Sequence, residues 1–130
     1  MRHPAIVSIA FTLLATTAGA APASRLMCAI VNVYDCSGKE CAEVTSEAVG
    51  VPDLVRLDAV EKTMTALDAE FAGRTSTLDS MTEEGTKTTA RAHEGDRSLV
   101  LVVESTSGDA MLTVSDGKVV LVGYGECSRI

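Results

Sequence analysis

Tryptophan is absent from this 130-residue chain, and phenylalanine and tyrosine occur only twice each. Proteins stack bases and sugars on aromatic rings. With so few aromatic residues, a stacking surface for nucleic acids or sugars is not expected here. Hydrophobic residues nevertheless make up 46% of the chain, and most of them are aliphatic. The composition therefore predicts a small domain with an interior of Val, Leu, Ala and Met.

Positive charge is also scarce. Eleven Lys and Arg residues face eighteen Asp and Glu residues, which gives a formal net charge of −7. Nucleic acids and anionic membrane surfaces both need a positive face on their protein partner, so this balance argues against either one. A basic protein partner is compatible with the charge. Moderate negative charge also keeps a small secreted domain soluble, so charge alone does not specify a partner.

The one long apolar segment lies at the N-terminus. A short cationic start precedes an apolar stretch over residues 5–15, and Ala18-Gly19-Ala20 has the small-x-small pattern of a signal-peptidase site. The stretch is too short for a permanent membrane anchor. We therefore expect residues 1–20 to be a signal peptide and residues 21–130 to be a single β-rich domain. This domain is expected in the periplasm or outside the cell, with no membrane insertion after signal removal.

Four cysteines follow that segment, and an even number of cysteines in an exported chain indicates disulfides. Three pairings are possible. We favour Cys36 with Cys41, which closes a short loop around Gly38, together with Cys28 and Cys127, which ties the N-terminal segment to the last strand. The competing interpretation, a zinc site, lacks the Cys-x-x-Cys spacing that such sites use.

The last third of the chain, residues 98–127, has the pattern of three short strands separated by two turns. Residues 99–103 form a five-residue apolar run, which is typical of a strand buried on both faces. Asp116-Gly117 predicts a two-residue hairpin turn, because a type I′ turn needs positive φ at both central residues. This turn would place Ser115 opposite Lys118 and would fix the register of the last two strands.

Residues 59–72 are ambiguous between helix and strand. Their apolar residues recur on one helical face, Asp58 with Glu61 has the pattern of a helix-capping box, and Gly73 stands where a helix would end. Their threonines and their spacing favour two antiparallel strands instead. Taken alone, these local signals slightly favour the helix, which would make the fold α+β.

Four short motifs are the basis of a resemblance to other proteins: VPDLVRLD at residues 51–58, KTMTA at residues 62–66, GRTS at residues 73–76 and the closing Gly125-Glu126-Cys127. In these motifs the chain resembles a set of small exported bacterial proteins without assigned function, in which a Cys-rich N-terminal strand leads into a β-meander. The resemblance implies strands rather than a helix over residues 54–67, and it brings no activity with it. On this basis we predict an all-β fold, a small antiparallel meander or partly closed barrel of about six to eight strands, stapled by disulfides. The alternative is an α+β fold with a helix at residues 59–72. The chain departs from the set at Asp109-Ala110, where those proteins often carry a Trp.

Residues able to carry chemistry are few. His93 is the only histidine in the sequence after the predicted signal peptide. A zinc site with two or three His ligands therefore cannot be built. As a general base His93 would work with Glu94 or Asp96, but a lone His beside acidic residues is usually solvated surface. Arg74, in Arg74-Thr75-Ser76, is either an anion-binding point or a partner for the excess of carboxylates.

Acidic residues at predicted strand ends are the other candidates for acid–base chemistry. Asp53 and Asp58 flank one strand, and Asp68 and Glu70 follow the next. Paired carboxylates act as acid and base in glycosidases. At strand ends, however, acidic residues far more often form turns and keep the surface soluble. We therefore expect no catalytic residues, no metal site and no cofactor.

The function predicted from these observations is a small non-catalytic binding or interaction module. A concrete version is an inhibitor of a basic exported enzyme, whose association negative charge would assist. We expect the partner at residues 35–47, or at residues 82–97, which are predicted to be an exposed loop with an optional edge strand at residues 86–91. The alternatives are a structural envelope protein and, less favoured, a carboxylate-dependent hydrolase.

Overall fold

The computed structural model describes residues 25–130, so the predicted signal peptide at residues 1–20 lies outside the described residues. Nine strands are present in this part of the chain: β1 Arg25–Asp35, β2 Ala42–Val44, β3 Leu54–Asp58, β4 Thr63–Ala66, β5 Thr75–Glu84, β6 Lys87–Glu94, β7 Arg97–Glu104, β8 Asp109–Ser115 and β9 Val120–Arg129. The same residues form one short helix, α1 at Ser46–Val49, and a 3₁₀ helix at Ala69–Phe71.

Eight of the strands close into an antiparallel barrel. β1 and β3 to β9 pair in the order β1-β3-β4-β5-β6-β7-β8-β9, and β9 pairs back onto β1. The ninth strand, β2, adds to β1 beyond the end of β3, where Val33 pairs with Val44. The predicted all-β, disulfide-stapled fold is confirmed, and its barrel is fully closed. The alternative helix over residues 59–72 is wrong, because β4 and the 3₁₀ helix occupy that segment.

The barrel interior is filled by aliphatic side chains that alternate with outward-facing residues along each strand. Leu57, Leu101 and Leu121 are each at most 1% exposed, and no aromatic ring belongs to this core among the described residues. An eight-stranded barrel is just wide enough for side chains to fill it. The composition of the chain, rich in small and aliphatic residues, is therefore matched to a solid interior.

The barrel closes where β1 meets β9, and this seam depends on Gly125. Gly125 pairs with Ile30, next to a register shift between Ile30 and Asn32. A Cβ added at Gly125 would lie 1.8 Å from the carbonyl oxygen of Ala29. No other side chain fits this position unless the strands separate, so glycine here permits closure.

Two disulfides reinforce the structure, and both are the pairs favoured from the sequence. Cys28 and Cys127 are directly opposite each other in the seam and are joined across it. Cys36 and Cys41 close the loop between β1 and β2. The first bridge therefore locks the barrel, and the second restrains one protruding loop.

The two ends of the barrel differ. The loops that follow β1, β4, β6 and β8 emerge at one end, which we call the capped end because residues 45–52 lie across it. The turns after β3, β5 and β7 emerge at the opposite end, together with Arg25 and Ile130. The two ends therefore have independent surfaces.

Three local predictions are wrong. Residues 82–97 are not a loop, because they belong to β5, β6 and the start of β7, joined by tight turns at Gly85 and Gly95. The optional strand at residues 86–91 is present as part of β6, but it lies between β5 and β7 and not at an edge. Residues 99–103 are not buried on both faces, since Val100 and Val102 point outward and are partly exposed. The last hairpin has a four-residue turn, so Ser115 pairs with Val120 rather than with Lys118.

Candidate functional site

A short cap closes one end of the barrel. Thr45 begins α1 by accepting a hydrogen bond from the Ala48 amide, and Gly50 ends it with a φ of 68°. The chain then turns inward, and Val51 is only 3% exposed. Positive φ is rarely adopted by residues with a Cβ, so Gly50 is the residue that lets the cap turn into the barrel.

Arg74 joins the cap to the barrel wall. Its Nε lies 3.0 Å from both carboxylate oxygens of Glu94, and its Nη1 donates to the carbonyl oxygen of Gly50 at 2.6 Å. The Ser76 hydroxyl donates to the same Glu94 carboxylate. At the start of β7, Arg97 donates to the carbonyl oxygen of Val49 at 3.5 Å. The charged groups at this end thus hold the cap in place.

The cavity beneath the cap is small and mostly apolar. Its volume is about 30 Å³, close to the space that one water molecule occupies in the liquid. Its walls come from the cap, the barrel interior and the Arg74 cluster: Gly50, Val51, Pro52, Val55, Met64, Ala66, Arg74, Ser76, Glu94, Arg97, Leu99, Leu112 and Val114. While the cap is seated, this space holds nothing as large as a metabolite.

A larger groove of about 430 Å³ opens beside the cap, between α1 and the turn from β8 to β9. Val49 and Val119 form part of its apolar wall, and Asp35, Asp116 and Arg97 supply its charged groups. Hydrogen bonds from Ser37 lower the pKa of Asp35, and those from the amides of the turn lower that of Asp116. Both carboxylates therefore present negative charge to the groove at neutral pH.

The loop closed by Cys36 and Cys41 stands next to this groove and is held at its base. The Cys36 amide donates to the carbonyl oxygen of Val120 at 2.8 Å, and the Val120 amide donates to the Ser37 hydroxyl at 2.9 Å. The Ser37 amide in turn donates to the Asp35 carboxylate. The loop is therefore pre-ordered rather than free to adapt, which lowers the entropy that binding would cost.

The capped end concentrates the acidic side chains. Its loops and strand ends carry ten of the eighteen carboxylates of the chain: Asp35, Glu40, Glu43, Glu47, Asp53, Asp68, Glu70, Glu94, Asp96 and Asp116. Only four basic residues accompany them: Lys39, Arg74, Arg97 and Lys118. Since Arg74 is committed to Glu94, the surface of this end is strongly negative.

The structure does not assemble the candidate acid–base residues. His93 lies on the outer face of the barrel and contacts Asp79 at 2.8 Å, not Glu94 or Asp96. Asp53 and Asp58 are at opposite ends of β3, and Asp58 is bound to Arg25 at 3.0 Å. These groups face different surfaces, so the structure does not bring together the acid–base pairs considered from the sequence.

The remaining candidate carboxylates have structural contacts or stand alone. Asp68 accepts hydrogen bonds from the amides of Asp53 and Leu54, and so closes the loop after β4 onto the start of β3. Glu70 lies exposed in the 3₁₀ helix. Arg74 pairs with a carboxylate, as the second of the two sequence interpretations proposed, but its link to the cap had no signal in the sequence because it joins residues 24 positions apart.

Over residues 25–130, no group of three or more His, Cys, Asp or Glu side chains is placed to hold a metal ion. The same residues contain no helix long and apolar enough to cross a membrane. Comparisons with protein-family models, with curated proteins and with solved structures find no match to this chain.

Proposed function

We propose that this chain is a small exported, non-catalytic binding module whose partner is a basic protein, in its most concrete form a basic exported enzyme that it inhibits. The observation that carries the proposal is the charge of the capped end, where a rigid disulfide-closed loop stands among exposed carboxylates. Export is supported by the two disulfides, which persist in oxidising compartments, and by the signal-like pattern of residues 1–20.

The interior of the barrel supports a surface role. Side chains fill the barrel, and the cavity below the cap has room for about one water molecule. A carrier of small apolar ligands would instead need a cavity of several hundred Å³. The filled interior therefore supports the proposal of binding at the outside of the barrel, where the acidic loops are.

The charge of the capped end defines how such a partner would be recognised. Removal of residues 1–20 takes away one arginine and leaves a net charge of −8. Complementary charge accelerates association of two proteins and makes the rate depend on salt. A basic partner is consequently steered toward the capped end before close contacts form.

The proposal is tested by calorimetric titration of the mature protein into a basic lysozyme at about 20 mM and about 300 mM salt, with the rate of cell-wall lysis recorded in parallel. We expect saturable binding that weakens at the higher salt concentration, because salt screens exposed charges. No binding at the lower concentration would refute the proposed partner class.

Two double variants test which acidic residues contribute to binding of the basic partner. Glu40→Lys with Glu47→Lys reverses two exposed carboxylates of the capped end, and Glu61→Lys with Glu84→Lys makes the same charge change at the opposite end. We expect the first pair to weaken binding at least about tenfold and the second pair by less than about threefold. Equal losses from both pairs would mean that only net charge is recognised.

A further inference from the structure

The outer surface of the barrel is divided into a polar part and an apolar part. Outward positions on β5 and β6 carry polar residues, among them Thr77, Asp79, Arg91 and His93. The outward positions on β7, β8, β9 and β1 include two rows of paired residues that are largely apolar: Val102, Met111, Tyr124 and Asn32 in one row, and Val100, Thr113, Val122 and Tyr34 in the other. Packing inside the barrel does not require this second surface, since these side chains point away from the core.

Both tyrosines of the chain lie on this apolar surface, which we call the tyrosine face and define as Tyr34, Val100, Val102, Met111, Val122 and Tyr124. The two rings contact each other edge to face, with centroids 5.9 Å apart. Tyr124 is 47% exposed and Met111 is 41% exposed. Tyr and Met are enriched at the centres of protein interfaces, and exposed apolar patches commonly mark such sites.

One border of the tyrosine face carries two adjacent carboxylates. Asp109 and Glu126 are directly opposite each other on β8 and β9, two residues beyond Met111 and Tyr124, and both are exposed. Within residues 25–130, neither side chain takes part in a hydrogen bond or an ion pair. Like charges directly opposite in a sheet are destabilising. A cationic group of a partner would remove this repulsion.

The tyrosine face continues into the loop of the capped end. Tyr34 is followed by Asp35 and the disulfide-closed loop, and it pairs with Glu43 on β2. Carboxylates thus stand on two sides of an apolar centre, which is the anatomy of an interface with a polar rim. The complementary partner surface is apolar at its centre and carries Lys or Arg around it.

A second copy of this chain fits the face less well. It would bring its own net charge of −8, and around the face it would bring the same carboxylates. Repulsion between like charges opposes that pairing. A basic partner gains from the same charges.

We propose that the tyrosine face is the surface that holds the basic protein partner, with Asp109 and Glu126 receiving its cationic side chains. This inference rests on the proposed function and adds the place of contact. The acidic capped end steers the partner during encounter, whereas the tyrosine face sets how long the complex lasts.

The test measures association and dissociation rates for a basic lysozyme by surface-immobilised kinetics. The face variants are Tyr124→Ser, Met111→Ser and Glu126→Gln. The matched controls are Val60→Ser and Glu61→Gln, on the turn between β3 and β4, where Val60 is 74% exposed. We expect the Tyr124 and Met111 variants to raise the dissociation rate at least about tenfold with little change in the association rate. The controls should stay within about twofold of the unmodified protein.

The possible results separate the two proposals. If the unmodified protein binds and the Tyr124 and Met111 variants dissociate at its rate, the tyrosine face is refuted and the binding function stands. If the unmodified protein does not bind, both proposals fall. If light scattering shows a dimer that Tyr124→Ser converts to monomer, the face belongs to a second copy and the inference is overturned. Circular dichroism of each variant confirms that the barrel is folded.

Discussion

Asp58 illustrates how a single carboxylate organises one turn of the barrel. It is only 5% exposed, it accepts hydrogen bonds from the amides of Val60 and Glu61, and it pairs with Arg25 at 3.0 Å. The sequence pattern of Asp58 and Glu61 is typical of a helix start, but the same side chain stabilises a turn between two strands equally well. The ambiguity over residues 59–72 has this physical origin.

Four carboxylates have a pKa below the ordinary value for their type, each because hydrogen bonds favour the ionised form. The donors are the Ser37 side chain and amide for Asp35, the Glu61 amide first for Asp58, the Thr86 hydroxyl first for Glu104 and the Val119 amide first for Asp116. Such groups release their protons more readily in the folded protein than in the unfolded chain.

These shifts predict an acid-sensitive fold. The unfolded state binds more protons at low pH, so stability is fully present above the unfolded pKa values near 4 and is lost as pH falls through the lower folded values. We expect the thermal midpoint, followed by circular dichroism, to fall steadily from about pH 5 to about pH 2. Asp58→Asn should be less stable at pH 7 and should lose less stability on acidification. A midpoint that is constant or rises over this range would contradict the assignment.

At the scale of elements, the seam between β1 and β9 is the critical contact, because it turns a meander into a closed barrel. Gly125 pairs with Ile30 in this seam, and the Cys127 amide also donates to the carbonyl oxygen of Gly108 at 2.8 Å. The last strand is thus held from both sides. Substitutions in the seam should therefore affect the whole fold rather than one hairpin.

Gly125→Ala tests the seam. The added Cβ would lie 1.8 Å from a backbone oxygen, so the strands must separate. We expect the free energy of unfolding, from denaturant titration, to fall by about 3 kcal/mol or more. Gly38→Ala is the matched control, because a Cβ at Gly38 meets nothing within 4 Å, and it should change stability by less than about 0.5 kcal/mol. Equal effects would show that the seam tolerates separation.

The register of the last hairpin could not be predicted from its turn residues alone. Asp116 accepts hydrogen bonds from the amides of Lys118 and Val119, and only Gly117 has a positive φ in this turn. A type I′ turn needs two such residues. The resulting four-residue turn shifts β9 by two positions, which leaves inward residues inward and brings Cys127 opposite Cys28. The seam, not the turn signal, determines the register.

The apolar run at residues 99–103 has a related explanation. Apolar and polar residues do not alternate there, because the outward-facing Val100 and Val102 are also apolar. They contribute to the tyrosine face and not to a second core. The sequence pattern shows which residues are apolar, but it does not show whether the core, another protein or solvent lies against them. Both disulfide pairs were predictable from the cysteine positions, whereas the all-β fold was predicted only with the help of the resemblance, because the local pattern at residues 59–72 slightly favoured a helix. The Arg74 cluster and the tyrosine face were not predictable, because they are formed by residues from distant strands.

At the scale of the whole molecule, the chain combines a solid core with an uneven surface. The interior is aliphatic and nearly without free space, the capped end carries most of the acidic residues, and one side of the barrel is apolar. The disulfide between Cys28 and Cys127 closes a loop of about 100 residues, which is worth about 4 to 5 kcal/mol in the chain-entropy model. A scaffold of this rigidity would present fixed surfaces to the proposed partner.

The most direct test of binding from the outside of the barrel is an amide chemical-shift map of the isotope-labelled protein titrated with an unlabelled basic lysozyme. We expect the largest changes at Tyr34, Met111 and Tyr124 and in the loop at residues 35–47. Amides that line the cavity, such as Met64, should change little. Changes concentrated at the cavity, or on the polar side of the barrel near Asp79, would contradict the account, and so would the absence of any change.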